Sequence, residues 1–207
     1  MCDEATASPP CEEPRTPGDG ASHRMDLRVQ NGFSVDVEDW YQGFPSIPPA
    51  SWTDYECRLA VGLERTLDLL AEFGTIATFF ILGYNAERYP HLVRMIDQQG
   101  HELATHGYDH CSLFQQSPKQ FRDQLRRSTD AIENASGTRV VGHRAPYFSM
   151  AQTTQWALDI LIEEGFTYDS SIYGTTDAPV GHASAHGNSG PRPPRSSMIM
   201  VMNASAS

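Results

Sequence analysis

Basic residues are scarce in this chain of 207 residues: 15 Lys and Arg stand against 26 Asp and Glu, for a formal net charge of −11. Holding a nucleic-acid backbone needs clustered Lys and Arg, and no basic stripe occurs anywhere, so a nucleic-acid partner is excluded. No run is apolar and long enough to span a bilayer. Residues 1–20 carry Asp, Glu, Pro and Thr without a basic end or an apolar block, which does not read as a secretory signal. The cysteines, Cys2, Cys11, Cys57 and Cys111, are scattered with no C-x-x-C pair, so a sulfur zinc site is not expected. Without an export signal, the expectation is a cytoplasmic protein with reduced thiols. No Gly-rich turn follows the first strand-like segment, which argues against a Rossmann-like nucleotide binder.

What is present fits one soluble domain, with 39% hydrophobic and 20% charged residues. Residues 1–25 are rich in Pro, Ser, Glu and Asp without periodicity and are expected to be a disordered tail. Residues 26–173 form the domain, and 174–207 an irregular or disordered tail. Gly32 to Val37 alternates as a short strand ending in acids, and a Pro-rich loop, Phe44 to Pro49, follows. Asp54 is placed to cap a helix through about Phe73, with Leu59, Leu63, Leu67 and Leu70 on one face. Ile76 to Leu82 reads as a buried strand, Pro90 to Gln99 as a helix, and His101 to Thr105 as a strand. Ser117-Pro118-Lys119-Gln120 has the form of a capping box for a helix to about Ala135. Arg139 to Gly142 reads as a strand, and Ser149 to Gln152 repeats the capping pattern before a helix that ends at Gly165. Strands alternating with helices imply a parallel sheet covered by helices, either an open doubly wound sheet or a barrel.

The chemistry-bearing residues all fall just past strands, and in a parallel α/β fold those ends gather on one face. His106 and His110 have a four-residue spacing that suits a shared metal if both face one way on a helical turn. Taken alone, such a pair is more often two loop histidines. His101, on the strand before them, reads as structural. Asp36, Glu38 and Asp39 crowd three carboxylates into four positions, which repel unless a cation or an arginine sits among them. The plain alternative is an acidic loop that caps a helix or faces solvent. Arg144-Ala145-Pro146-Tyr147 offers a guanidinium suited to hold a carboxylate bidentately, and a backbone N–H after Pro146 that can serve as an oxyanion donor. Trp40, Tyr41 and Tyr147 could present faces to sugar rings, although aromatics near strand ends more often pack in the core or rim.

Phe33-Ser34-Val35-Asp36-Val37-Glu38-Asp39, Ala77 to Gly83, Gly100-His101-Glu102 leading to His106 and His110, and Arg144-Ala145-Pro146-Tyr147 occur in order and spacing. This combination resembles the polysaccharide deacetylases, carbohydrate esterase family 4, over roughly Gly32 to Tyr173. The Asp-Val-Glu-Asp-Trp form and Tyr168-Asp169-Ser170-Ser171 are most similar to the exosortase-associated branch linked to bacterial exopolysaccharide synthesis. The resemblance implies a distorted (β/α) barrel that hydrolyses N-acetyl or O-acetyl groups on a glycan substrate. It implies Asp36 as general base held by Arg144, and His106 and His110 as ligands of a divalent metal, by expectation Zn2+. Glu38 is the third ligand, with Asp39 the next choice, because Val37 stands where the commonest pattern has a second acid. The resemblance implies the Tyr147 backbone N–H as the oxyanion donor and, in the family, a histidine on a late strand as the acid, a position that no residue of this chain is expected to occupy.

From Gly174 to Ser207 there is no Phe, Trp, Tyr or Leu. His182 and His186 fall there without a strand-like segment to present them. The expectation is a truncated or frame-shifted deacetylase whose barrel is incomplete at the C-terminus and whose turnover is impaired. The alternatives are an inactive glycan- or metal-binding remnant and an amidohydrolase of the same fold acting on a small ureide.

Overall fold

A computed structural model describes residues 32–172 and 200–201 of the chain. The first strand, β1 (Ser34–Val37), pairs with β2 (Thr78–Ile81), which is followed at once by a short helix, α2 (Gly83–Arg88). Helix α1 (Leu59–Glu72) joins β1 to β2, and α3 (Pro90–Gln98) leads to β3 (Glu102–Thr105). Helix α4 (Pro118–Ser136) precedes β4 (Gly142–His143), and α5 (Trp156–Glu163) precedes β5 (Tyr168–Asp169). All these strands run parallel in sequential order, as the alternating pattern predicted, and β6 (Met200–Val201) adds antiparallel to β5. The fold is the α/β architecture of a distorted (β/α) barrel, with an open sheet among the described residues. The expected tails, residues 1–25 and 174–207, lie outside the described residues except for Met200–Val201.

Side chains alternate across a strand, so the register sorts residues into two faces. Val37, Ile81, Thr105, His143 and Asp169 lie in one row of neighbours across the sheet. Val37 and Ile81 pack with Leu59, Leu63, Leu67 and Leu70 of α1 and with Leu125 and Ile132 of α4 in the main core. Asp36 and Phe80, one residue earlier, point to the other face.

Local departures from expectation have physical causes. Asp54 does not cap α1: it ends a 3-10 turn, Pro49–Asp54, which buries Trp52 against Tyr41 and Leu82. Strand β4 begins later than Arg139, because the Glu133 carboxylate at the end of α4 takes the Val140 amide at 2.8 Å. The capping box at Ser117 and Gln120 is formed, and Gly137 closes that helix at φ 80°. The second capping pattern is not: Ser149 Oγ accepts from the Leu113 amide, and Thr154 Oγ1 takes the Ala151 amide. Helix α2 was invisible because it starts without a side-chain cap straight after a strand.

Gly83 lets α2 approach α4, since a Cβ there would lie 2.6 Å from Ser128 Cα and 2.7 Å from the Tyr108 ring. Because one obstacle is helix backbone, Gly83→Ala is expected to cost about 1–3 kcal/mol of unfolding free energy. Urea denaturation measures this, and an unchanged midpoint would refute the close approach.

Candidate metal centre

Asp36 sits on the inner face of β1, and Glu38 and Asp39 follow the strand's end. His106 is the first residue past β3, where its amide donates to Ile81 O at 2.9 Å. Its Nδ1 lies 2.9 Å from the Arg144 carbonyl. A carbonyl can only accept, so Nδ1 carries the proton and the Nε2 lone pair faces the site. Burial pushes the His106 pKa down to about 4, against the opposing pull of Asp36, so the ring is neutral at ordinary pH.

His110 does not reach His106 by a helical turn as the spacing suggested. The intervening segment is a loop with Gly107 at φ 76° and His110 itself at φ 55°. A left-handed histidine costs roughly 1 kcal/mol or more. The return is that the His106 and His110 rings come within 5.1 Å, centroid to centroid. Tyr147 and Phe148 also have positive φ, 55° and 50°, so non-glycine backbone strain gathers around this one place.

Ligand atoms from Glu38, His106 and His110 all lie within 4.8 Å of one another. Bonds of about 2.0–2.1 Å in a tetrahedral arrangement would place donor atoms roughly 3.3 Å apart, which this grouping can satisfy. His110 Nε2 approaches Glu38 Oε2 to 2.9 Å, yet that oxygen and His110 Nδ1 have no hydrogen-bond partner. Burial raises the Glu38 pKa, but the contact with His110 outweighs it and holds the carboxyl below its ordinary value. An ionised, buried carboxylate oxygen without a donor fits a cation.

Asp39 is turned away from this group. Its Oδ2 accepts from the Arg58 and Leu59 amides at 2.8 and 3.2 Å, and Oδ1 from the Trp40 amide at 2.8 Å. It is therefore the N-terminal cap of α1, which has no local side-chain cap of its own. The helix-capping alternative holds for Asp39, and the metal-site geometry falls to Glu38.

Arg144 Nη1 donates to Asp36 Oδ1 at 2.7 Å. The expected bidentate pairing is not formed, because Nη2 is taken by Ser34 Oγ and Ser170 Oγ, both at 2.9 Å. The guanidinium also lies 4.0 Å over the Phe80 ring, and Nε donates to Ser170 O at 3.2 Å. Ser34 and Ser170 were missed from sequence; the signal was there for Ser34, two residues before Asp36 and so on the same strand face. Asp36 Oδ2 is 4.0 Å from His106 Nε2, which puts the carboxylate beside the ligand group without joining it. Tyr147 follows Pro146 and packs its ring 4.4 Å from His110. Tyr41 is buried in the small core and offers no face to a ligand, whereas Trp40 and Tyr147 are 51% and 39% exposed. His101 is structural: its Nδ1 accepts from the Ala77 amide at 3.3 Å.

Residues 58–167 match the family model described as polysaccharide deacetylase. A peptidoglycan deacetylase of Helicobacter pylori is 32% identical over 112 residues, which is 54% of this chain and 37% of that protein. A chitooligosaccharide deacetylase of Sinorhizobium fredii is 34% identical over 129 residues, covering 62% of this chain and 51% of that one. The chain thus spans about a third to a half of the length of these curated relatives. A structure from Mycobacterium smegmatis assigned to the polysaccharide deacetylases aligns with TM-score 0.59 and 34% identity over 68% of this chain and 50% of that chain. A Bacillus anthracis protein described as a pseudoenzyme of carbohydrate esterase family 4 shares the fold, with TM-score 0.54 and 21% identity over 68% of this chain and 42% of its own.

The two neighbouring acids should respond differently to removal. Asp39→Ala is expected to lower unfolding free energy by about 1–3 kcal/mol, while the protein still takes up one divalent ion per chain. Glu38→Ala should lose most of the metal affinity. Equilibrium dialysis with zinc beside urea denaturation separates the two, and loss of metal in the Asp39 variant alone would reverse the assignment.

Proposed function

The chain belongs to the polysaccharide deacetylase family, and from that membership we propose that it is a metal-dependent hydrolase removing N-acetyl, or O-acetyl, groups from a polysaccharide. The observation that carries the proposal is the grouping of Glu38, His106 and His110 beside Asp36, whose carboxylate is held by the buried Arg144. Two imidazoles and one carboxylate are a donor set typical of a catalytic zinc ion with open positions, and Zn2+ is the metal proposed. The relatives act, by their names, on peptidoglycan and chitooligosaccharide, so an acetylated amino-sugar polymer is the substrate class that fits. The Asp36 to Trp40 segment and Tyr168 to Ser171 are the grounds for proposing an exopolysaccharide as that polymer.

A divalent ion held by Glu38, His106 and His110 would supply Lewis acidity toward the acetyl carbonyl and a water. Asp36 is the general base and takes a proton from the water as its oxygen attacks the carbonyl carbon. Arg144, itself anchored by Ser34 and Ser170, holds the Asp36 carboxylate fixed in direction. The Tyr147 backbone N–H donates to the developing oxyanion. The C–N bond then breaks, acetate leaves, and the amine takes up a proton. The family's late-strand histidine, which would donate that proton, is the residue whose loss the sequence reading expects; His182 and His186 lie outside the described residues.

A second reading keeps metal and glycan binding but no turnover. It is retained because the same fold occurs in a protein described as a pseudoenzyme of carbohydrate esterase family 4. Zinc-loaded protein is expected to release acetate from an N-acetylglucosamine oligomer, and EDTA to abolish that release. Asp36→Asn should lower kcat by about 10²–10⁴-fold while zinc is retained. Stoichiometric zinc with no acetate release at high enzyme concentration would replace the first reading with the second.

A further inference from the structure

Trp40 combines exposure with a fixed orientation. Half its surface is in solvent. Its ring is nevertheless clamped edge-on by Tyr41 and Tyr55, each with centroids 5.5 Å away. The indole Nε1 donates to Glu56 O at 3.2 Å, and the Trp40 amide donates to Asp39, the cap of α1. Tyr41 is buried and stacks on Tyr55 at 5.3 Å, so the clamp is rooted in the small core beneath.

The position of the ring bears on the site. Trp40 lines one cleft of about 350 Å³ together with Asp36 and Glu38. On the imidazole side of the ligand group, the half-exposed Tyr147 ring packs on His110. Trp40 thus shares a cleft with Asp36 and Glu38 that runs along β1 and α1, and Tyr147 lies against His110. A pyranose presents an apolar C–H face to such a ring while its hydroxyls stay in water, and a rigid ring loses little entropy on binding.

We infer that Trp40 is a sugar-stacking, specificity-determining residue. The ligand it selects is an oligo- or polysaccharide that lays a ring next to the acetylated one on the indole. The inference rests on the deacetylase reading for the identity of the acetylated sugar, but its measurement does not depend on turnover.

Calorimetric titration of zinc-loaded Asp36→Asn protein with the monomer and the tetramer of N-acetylglucosamine tests it. Adding Trp40→Ala should weaken tetramer binding roughly three- to tenfold and monomer binding less, and Trp40→Phe should recover most of the loss. Equal tetramer affinity with and without the Trp40 ring, or no tetramer binding by the parent, overturns the inference. A loss that Phe does not recover, accompanied by a fall in urea midpoint, also overturns it in favour of a structural role. Acetate release by the wild type is scored separately. Trp40-dependent binding without acetate release removes the deacetylase reading alone, and acetate release with Trp40-independent binding removes this inference alone.

Discussion

The buried guanidinium of Arg144 is the constraint on which the site depends. It is 6% exposed, and its N–H groups end on Ser34 and Asp36 of β1 and on Ser170 just past β5, over the Phe80 ring of β2. In a flat sheet, strands four places apart would lie about 19 Å from each other, far beyond the reach of one side chain. The contacts are possible because the sheet curls, and Arg144 lies inside the curve. A buried charge that loses its partner costs about 3–5 kcal/mol, so the tie holds only while both sheet margins stay in register. Lysine would bring charge but no planar fork to divide among a carboxylate, two hydroxyls and a carbonyl.

Behind the site, on the helix-facing side of the same strands, a second tie fixes that register. His143 of β4 and Asp169 of β5 are register neighbours, both buried, with Nδ1 and Oδ2 2.7 Å apart. Ser171 donates its hydroxyl to Asp169 and accepts the Ala145 amide at 2.7 Å. One residue of offset on each strand thus separates a hidden structural pair from the groups that hold Asp36. This follows directly from the two-residue period of a strand.

Much of this arrangement was legible in the sequence. Leu59, Leu63, Leu67 and Leu70 announce α1 by their spacing, Ser117 and Gln120 announce α4, and the unbroken apolar run at Phe79 to Leu82 announces an inner strand. That Asp36, Glu38, His106, His110 and Arg144 come together was legible as well, because strand ends of a parallel sheet converge whatever lies between them. Tertiary capping was not legible. Asp39 closes a helix twenty residues away by chain, and no local pattern at Arg58 or Leu59 reports this. Nor could spacing reveal that His110 arrives through a left-handed turn, since an i, i+4 pair looks alike on a helix and in a loop. Gly142 and Tyr168 show the same limit: the ring fills the space a Cβ would need, 2.2 Å from the hydroxyl oxygen, and only packing discloses it.

The three crowded carboxylates give the strongest physical case for a cation. Each must be relieved of its neighbours' repulsion by its own counter-charge. Asp36 has Arg144 at 2.7 Å. Asp39 has the amides at the N-terminus of α1, where the helix dipole is positive. Glu38 has two imidazoles, which bear charge only when protonated, and burial holds His106 neutral at ordinary pH. Glu38 Oε2 and His110 Nε2 nevertheless stand 2.9 Å apart, with no hydrogen-bond partner on that oxygen. A carboxylate oxygen and two ring nitrogens gathered within 4.8 Å of one another form a donor set that a divalent ion placed between them would turn from crowding into ligation.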